Sequence, residues 1–398
     1  MSEPLLEQAR GNTGGARMGR WLADPGFGIY VHIPFCLHRC HYCDFNTYES
    51  LDALHVPYVD ALVRDIEGLE GDAPPATSVF FGGGTPTLLP ARQLARILGA
   101  IRDRVGLAEA AEVTAEANPE TVDESYFDQM QAAGFNRVSI GVQSLREGVL
   151  GGLGRKHSPQ SALDAISAAH RSGLTDINAD LIYGAPWETG DDWRASLEGV
   201  LAAGTSHISA YALTVEEGTP LGTLVKTGRV PDVDPDVAAD RHAFAEDLLG
   251  SAGFWRYEVS NWSQLEHASR HNLLYWSGGD YLAFGAGAHG HLDGRRYWNE
   301  RLPRDFIALV EQGTATEAGF EMVPGSARAS EALMLGLRLR SGVHLAGFEA
   351  RYGREHLEQV DGVIEELLQQ GLLARRDGWL SLSPRATMLA NDVISRLM

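Results

Sequence analysis

Cysteine is scarce in this chain of 398 residues, which contains only three, all between Cys36 and Cys43. An odd number of clustered cysteines, with none elsewhere to pair with, argues against a disulfide framework. The scarcity indicates a reducing compartment and a dedicated local use for three thiolates.

Long apolar runs and positive charge are also lacking. No stretch of about 18 apolar residues is present, so no membrane-spanning helix is expected. The 33 Lys and Arg residues are outnumbered by 53 Asp and Glu residues, which gives a net charge of −20. A surface this negative repels phosphate backbones, so nucleic acid is not expected as a partner, although a local basic pocket is compatible with it.

What is present is the composition of an ordinary globular protein, with 44% hydrophobic and 22% charged residues. The length predicts one large domain with a smaller one appended. Residues 1–26 contain Gly11, Gly14 and Gly15 and lack the apolar segment of a secretory signal. We therefore predict a flexible N-terminal tail and a cytoplasmic location.

Six β-rich runs alternate with helical patterns between residues 27 and 215. This alternation is typical of βαβ units around a parallel sheet. Six units are two short of a complete barrel, so the predicted fold class is α/β, with a partial (β/α)6 barrel over residues 27–220. An open, doubly wound sheet is the alternative. The strands are expected at Gly28–Ile33, Ser78–Phe81, Glu112–Ala117, Arg137–Val142, Asp176–Ile182 and His207–Leu213.

The second half of the chain has a different pattern. Residues 221–300 are predicted to form a connecting region, which is rich in aromatic residues. Beyond residue 300 the pattern is helical and ends in two short runs around Asp377-Gly378, a dipeptide typical of β-hairpins. This order predicts a winged-helix-like α+β module over residues 301–398. Because the chain is acidic, we expect this module to pack against the barrel rather than to bind DNA.

The cysteines follow the first predicted strand with the spacing C-x-x-x-C-x-x-C, as Cys36, Cys40 and Cys43. Three thiolates in a short loop can each bind one iron of a [4Fe–4S] cubane, which leaves the fourth iron open to a small molecule. Structural zinc is the alternative, with a fourth ligand taken from His32, His38 or His41. Zinc sites usually draw ligands from two separated segments, and a second one is absent from this sequence.

Polar or glycine-rich turns follow several predicted strands, at the edge where parallel α/β folds bind ligands. The run Gly82–Gly84 lacks side chains, so its backbone can approach a ligand closely. Glu116 ends the third strand, where its carboxylate can accept hydrogen bonds from hydroxyl or ammonium groups. Gln143 and Asp180 occupy matching strand ends, and Arg155 can pair a carboxylate.

These segments resemble the radical S-adenosylmethionine superfamily, and within it the anaerobic coproporphyrinogen III oxidases and their relatives, the HemW-type haem chaperones. The similarity extends over about residues 27 to 398. The motifs that carry it occur in order along the chain, as Tyr30-Val-His-Ile-Pro-Phe-Cys36, Phe81-Gly-Gly-Gly-Thr-Pro-Thr87, Glu116-Ala-Asn-Pro119, Ser139-Ile-Gly-Val-Gln-Ser144, Asp180-Leu-Ile-Tyr-Gly184 and His271-Asn-Leu-Leu-Tyr-Trp276.

The resemblance implies a [4Fe–4S] cluster and bound S-adenosylmethionine, with Gly83, Gly84 and Thr85 meeting the methionine amine. It also implies further cofactor contacts, at Tyr30, Tyr42, Glu116, Gln143, Arg155, Asp180 and Ala212. Some of these positions serve a second S-adenosylmethionine molecule in the oxidase branch, and whether one binds here is open.

The segment His271-Asn-Leu-Leu-Tyr-Trp276 is a candidate haem site. Imidazole is a common ligand of haem iron, and tyrosine and tryptophan offer apolar faces to a porphyrin. In isolation such a segment is more often part of a core. The resemblance favours haem, because H-N-x-x-Y-W is a proposed haem-binding motif of the chaperone branch. His289 and His291 are further candidates, for which a structural role is the simpler interpretation.

Two features separate the branches. The oxidases typically have a fourth cysteine two residues after the third, where this chain has Phe45, and they have a longer N-terminal extension. We therefore predict a haem chaperone that delivers haem to an acceptor protein, which could be respiratory. The alternative is an enzyme that oxidatively decarboxylates the propionate chains of coproporphyrinogen III.

Overall fold

A computed structural model describes residues 25–398, so the predicted flexible tail lies almost wholly outside the described residues. Six strands in the first half are joined by helices, as the alternating pattern predicted. The strands are β1 (Phe27–Ile33), β2 (Ala76–Gly83), β3 (Leu107–Ala117), β4 (Arg137–Gln143), β5 (Asp176–Tyr183) and β6 (His207–Ala212). The helices are α1 (His55–Glu67), α2 (Ala91–Arg104), α3 (Glu124–Ala133), α4 (Glu147–Leu153), α5 (Pro159–Arg171) and α6 (Gly190–Ala202).

The local sequence explains where several of these helices begin and end. Ser158 and Thr189 each accept a hydrogen bond from the backbone three residues later and complete capping boxes for α5 and α6. Such caps typically stabilise a helix by about 1 kcal/mol. Gly134 ends α3 in the left-handed conformation, with φ of 107°, which glycine adopts without a steric penalty.

Strands from residues 221–322 extend the same sheet at both edges. They are β7 (Trp255–Arg256), β8 (Asn261–Ser263), β9 (Asp280–Phe284), β10 (His289–Leu292), β11 (Arg295–Asn299) and β12 (Glu317–Met322). The order across the sheet is β12-β11-β10-β9-β1-β2-β3-β4-β5-β6-β8-β7. The six strands β1 to β6 are adjacent and parallel, which confirms the partial six-stranded barrel. A seventh parallel strand, β9, pairs with β1 and was not predicted.

Alternate residues of the barrel strands face opposite sides of the sheet. Those on the outer face, such as Ile29, Val79 and Ile140, are fully buried against the surrounding helices. Those on the inner face are largely polar and surround the barrel lumen, as described below. The helices after β6 are α7 (Pro220–Lys226), α8 (Pro235–Ser251), α9 (Arg270–Trp276) and α10 (Pro303–Glu311).

The C-terminal module has its own three-stranded antiparallel sheet and its own apolar core, which confirms the predicted winged-helix-like arrangement. Its hairpin turns at Asp377 and Gly378, both with positive φ, of 51° and 82°. Its elements are α11 (Gly325–Arg338), β13 (Val343–His344), α12 (Leu345–Tyr352), α13 (Glu355–Gln369), β14 (Leu373–Arg376), β15 (Trp379–Leu382) and α14 (Ala390–Ser395).

The region before this module contains the helix α10 and the strand β12. The sequence predicted helical structure beyond residue 300, so α10 agrees with the prediction and β12 does not. Phe306 and Ile307 of α10 belong to the barrel core, and β12 pairs with β11 at the sheet edge. We therefore propose that the C-terminal module begins after Met322 rather than at the predicted residue 301. Within residues 25–398, no helix combines the length and the apolar character needed to cross a lipid bilayer.

Candidate functional site

The three cysteines lie in the loop between β1 and α1, at the carboxyl end of the barrel strands. All three are free, partly buried thiols. The N–H of Cys36 donates to the carbonyl of Tyr48 at 3.0 Å, and the N–H of His41 donates to the carbonyl of Leu153 at 3.0 Å. These bonds tie the loop to its own end and to α4, so that the thiols lie together on one rim of the barrel.

Each thiol has a polar neighbour. The contacts are Thr85 Oγ1 to Cys36 Sγ at 3.8 Å, Arg155 Nη1 to Cys40 Sγ at 3.5 Å and Thr47 Oγ1 to Cys43 Sγ at 4.0 Å. Burial raises the pKa of Cys36 to about 11 and also raises the pKa of Cys43. Bound metal reverses this effect, because its positive charge favours the thiolate. The donor set fits three irons of a cubane.

The histidines near the loop do not favour the zinc alternative. Both ring nitrogens of His32 are occupied, by the hydroxyl of Tyr30 at 2.9 Å and by the carbonyl of Asn46 at 3.0 Å. His41 Nδ1 lies 3.1 Å from a backbone carbonyl of α4, and His38 is exposed. Among residues 25–398, no three His, Cys, Asp or Glu side chains are arranged to bind one ion. A cubane does not require such convergence, because each thiolate binds a different iron.

The glycine-rich turn after β2 lies directly against the cysteine loop. A side chain at Gly83, whose φ is 110°, would collide with the ring of His32. The backbone N–H groups of the turn already donate hydrogen bonds within the protein. Gly83 donates to Glu116 Oε2 at 3.1 Å. Gly84 donates to the carbonyl of Ile33 and Thr85 to the carbonyl of Phe35, both at 2.8 Å. The glycines are therefore required partly for packing. A ligand ammonium would need the carbonyl oxygens of this turn.

Glu116 and Asp180 line the lumen, a cavity of about 280 Å³. Burial and the charge of Asp180 raise the pKa of Glu116 to about 8, although the N–H of Gly83 acts in the opposite direction. Burial also raises the pKa of Asp180, which accepts hydrogen bonds from Ser139 at 2.7 Å and Asn178 at 2.8 Å. A ligand with an ammonium or hydroxyl groups would relieve the repulsion between these two carboxylates.

Gln143 and Arg155 meet at a bulge near the end of β4. Gln143 is 9% exposed and has φ of 61°, in the left-handed region that non-glycine residues rarely adopt. Arg155 Nη2 donates to the carbonyl of Gly141 and to Asn118 Oδ1, both at 2.7 Å, while Nη1 faces Cys40. Arg155 is thus fixed between the cysteine loop and two strand ends, and is not the surface arginine that its sequence context alone would suggest.

The remaining predicted cofactor residues lie nearby. Tyr30 lines the lumen, Tyr42 is partly buried beside Cys40 and Arg155, and Ala212 is the exposed last residue of β6. Burial raises the pKa of both tyrosines. The structure therefore brings the residues predicted for the cluster and for S-adenosylmethionine to the upper lumen and its rim.

His271 lies at the opposite end of the lumen, on α9, and is 1% exposed. Its Nδ1 is 2.9 Å from the hydroxyl of Ser78, and its Nε2 is 2.8 Å from the hydroxyl of Tyr275. Its backbone N–H donates to Glu112 Oε1 at 3.0 Å. Burial lowers the pKa of His271 to about 3, so the ring is neutral. Both nitrogens have protein partners, and a haem iron would have to displace one of them.

A polar network in the lower lumen was not predicted. Asn178 donates to Ser209 at 2.9 Å and pairs with His207 Nδ1 at 2.6 Å, and His207 Nε2 lies 2.9 Å from the hydroxyl of Tyr257. Asn272 donates to the same hydroxyl at 3.1 Å. Hydrogen bonds thus connect Asp180 to the HNxxYW segment. The sequence signal was the spacing of two between polar residues within strands, as in Asn178-x-Asp180 and His207-x-Ser209-x-Tyr211.

The sequence matches two family models, the radical SAM superfamily over residues 30–199 and the HemN C-terminal domain over residues 323–389. A protein of Mycobacterium tuberculosis named heme chaperone HemW is 41% identical over 377 residues, which cover 94% of this chain and 95% of the relative. The chain belongs to the HemW family of radical SAM proteins. The HemW of Escherichia coli is 34% identical over 93% of this chain and 97% of its own length.

The fold of this HemW-family chain also has a solved counterpart. Coproporphyrinogen III oxidase (HemN) from Escherichia coli superimposes with a TM-score of 0.81 over 96% of this chain and 93% of the oxidase, at 19% sequence identity. At that identity the likeness establishes the shared fold alone. Membership of the radical SAM superfamily implies a [4Fe–4S] cluster and S-adenosylmethionine as the cofactors.

Proposed function

We propose that this chain is a haem chaperone, which binds haem and passes it to an acceptor protein in the cytoplasm. The observation that carries the proposal is the similarity, at 30–41% identity over 93–94% of the chain, to relatives named heme chaperone HemW from Mycobacterium tuberculosis, Bacillus subtilis and Escherichia coli. We propose a respiratory haem protein as the acceptor.

In this proposal, Cys36, Cys40 and Cys43 hold the [4Fe–4S] cluster. Together with S-adenosylmethionine, the cluster supplies one-electron redox chemistry when bound. Arg155 Nη1, 3.5 Å from Cys40 Sγ, places a positive charge beside this ligand. Tyr42 packs beside this pair and shields it from water.

The upper lumen would hold S-adenosylmethionine. The carbonyl oxygens of Gly83, Gly84 and Thr85 would accept from its ammonium, since the N–H groups there are already bonded. Glu116 and Asp180 would accept from ribose hydroxyls or from the ammonium. The remaining residues proposed to line the pocket are Tyr30, Gln143 and Ala212.

His271 has a supporting part in this proposal. Its ring is bonded to Ser78 on one side and to Tyr275 on the other, and is almost fully buried. The geometry therefore favours a role in fixing Tyr275 over direct ligation of the haem iron. The HNxxYW segment would contribute to haem binding through Tyr275, which the imidazole orients.

The test is an anaerobic haem titration of the cluster-loaded protein, with a parallel assay of coproporphyrinogen III. We expect one haem to bind per chain and no conversion of coproporphyrinogen. Formation of protoporphyrinogen without stable haem binding would replace the chaperone by the oxidase. Phe45, which is 64% exposed beside the cysteine loop, supports the chaperone, because the oxidases typically carry a fourth cysteine there.

A further inference from the structure

A second cavity, of about 260 Å³, lies outside the barrel, where the C-terminal module packs against the part of the sheet formed by β9, β10 and β11. We propose that this cleft is the haem site of the protein, with His291 as the iron ligand. The proposal rests on the haem-binding function above and adds the location. Tyr275 lines both this cleft and the lumen, so the cleft lies on the outer side of the HNxxYW segment.

His291 offers a nitrogen to the iron. It lies on β10 directly opposite Tyr281 of β9, with Nδ1 3.2 Å from the carbonyl of Gly279 and 3.4 Å from the carboxylate of Asp280. An Nδ1–H that donates to these oxygens leaves the lone pair on Nε2, which is the arrangement of most metal-binding histidines. Within the described part of the chain, Nε2 has no hydrogen-bond partner. The side chain is 18% exposed in the cleft.

The charge of the cleft suits the two propionates of haem. Three arginines and one glutamate line it, although the chain as a whole has a net charge of −20. Arg296 is held in ion pairs by Glu331 and Glu321 and is already neutralised. Arg351 donates instead to two backbone carbonyls, of Ser277 and Gly278, and makes no ion pair with residues 25–398.

Arg328 is the second arginine of the cleft that a propionate could engage. Its one carboxylate partner is Asp293, at 3.2 Å, whose side chain is 93% exposed. Ion pairs with a fully solvated partner are weak, so a propionate can compete with Asp293. Arg328 and Arg351 thus provide two guanidinium groups, which bind carboxylates through paired N–H donors.

The cleft also offers surfaces for the porphyrin ring. Tyr275 and Tyr281 meet edge to face, with ring centroids 4.8 Å apart, and Leu335 and Ala332 of α11 supply apolar contacts. The volume is below the range of roughly 300–1,000 Å³ typical of pockets that enclose a whole ligand. Part of the haem would therefore be exposed, as delivery to another protein requires.

The lumen is a poorer haem site. A propionate in the lumen would be buried beside two carboxyl groups, Glu116 and Asp180, with a single arginine, Arg137, on the same wall. Its histidines, His207 and His271, each have both ring nitrogens bonded to protein groups. A histidine with a free nitrogen and two available arginines occur together in the cleft and not in the lumen.

The test compares two probes, haem and metal-free protoporphyrin, on the full-length protein and its variants. His291→Ala is expected to weaken haem binding about tenfold or more and to change the ferric haem spectrum, while protoporphyrin binding stays within about twofold. Arg351→Ala is expected to weaken both probes by a similar factor, since both carry propionates. Cluster absorption and the unfolding midpoint serve as checks of folding.

The matched controls are His170→Ala, an exposed histidine on α5, and Arg354→Ala, an exposed arginine three residues after Arg351. Neither should alter binding of either probe. Unchanged haem affinity and spectrum in His291→Ala would overturn the proposal. Loss of haem binding in His289→Ala but not in His291→Ala would also overturn it, because His289 does not line the cleft. A wild-type protein that binds no haem would instead refute the chaperone function itself.

Discussion

The lumen and the cleft are cavities of similar volume, about 280 and 260 Å³, and Tyr275 of α9 lines both. They differ in charge. The lumen has two carboxyl groups, Glu116 and Asp180, and one arginine, Arg137, on its wall, whereas the cleft has three arginines and one glutamate. Size does not distinguish the ligands of these two sites. Charge does, because an ammonium-bearing cofactor matches the first and a dicarboxylate porphyrin matches the second.

The two histidines near Tyr275 differ in how many of their ring nitrogens are hydrogen-bonded. His271 is 1% exposed and bonded at both nitrogens, whereas His291 is bonded only through Nδ1 among the described residues. An imidazole with both nitrogens hydrogen-bonded orients its neighbours, whereas an imidazole with one free nitrogen can bind a metal. The following predictions separate these roles, from the largest expected effect to the smallest.

The largest effect is expected from Cys40→Ala. The chain has no cysteine beyond the three cluster ligands, so none can replace Cys40, and iron should fall from about four atoms per chain to nearly none, with loss of the visible absorption of the cluster. Haem binding in the cleft should persist, because the hydrogen bonds, ion pairs and ring contacts that the described cleft residues make are with residues outside the loop. Phe45→Ala is the control and should keep its iron. Loss of haem binding together with the cluster would show that the haem site is not separate from the cluster loop.

His271→Ala should reduce the free energy of unfolding by about 2–4 kcal/mol, because it opens a buried space and leaves the hydroxyls of Ser78 and Tyr275 unpaired. Urea unfolding measures this change. His291→Ala, at a partly exposed position on the cleft wall, should cost less than about 1 kcal/mol. Equal destabilisation by the two substitutions would contradict the proposal that His271 orients Tyr275 and that His291 binds the haem iron.

Glu116→Gln should change how stability depends on pH in the ligand-free protein. Burial raises the pKa of Glu116 to about 8 in the folded chain, from an ordinary value of 4.5. Between pH 4.5 and 8 the carboxyl ionises in the unfolded chain and stays protonated in the folded one. The stability it contributes is therefore complete below pH 4.5 and lost as the pH rises to 8.

The expected slope from this group is a loss of about 1 kcal/mol per pH unit over that window. Unfolding free energies measured at pH 5, 6.5 and 8 should fall less steeply in Glu116→Gln than in the wild type. Glu109→Gln, an exposed carboxylate on the same strand, is the control. Identical slopes in the Glu116 variant and the wild type would show that the lumen does not desolvate this carboxyl.

The smallest effect is expected from Arg155→Gln. Loss of the guanidinium near Cys40 Sγ should make the cluster harder to reduce, by on the order of tens of mV, while Arg155→Lys should keep most of the potential. Anaerobic redox titration measures the shift. An unchanged potential in the glutamine variant would remove Arg155 from the electrostatic surroundings of the cluster.

Much of the barrel and its rim could be predicted, because strand–helix alternation and the polar strand ends are properties of contiguous sequence. The short helix α4 is hard to predict from sequence, because Gly148, Gly151 and Gly152 reduce its intrinsic helix propensity. The short strands β9 and β12 are defined by pairing with distant strands, which local sequence does not encode.

The features of the site that the sequence could not predict also depend on residues that are distant along the chain. The HNxxYW motif located α9, but the direction of the His271 ring depends on Ser78, far away in the chain. His291 looked structural in sequence, since nothing local indicates that Arg328 and Arg351 from the C-terminal module face it. Sites assembled between modules are visible only once tertiary contacts are known.

We propose that the protein binds haem and transfers it to an acceptor protein. The most direct measurement is transfer from the haem-loaded, cluster-containing chain to a haem-free globin, followed by the globin spectrum. We predict that one haem per chain moves to the globin, and that His291→Ala releases it faster because its iron ligand is missing. A chain that retains no haem after gel filtration, yet converts coproporphyrinogen III, would contradict the account.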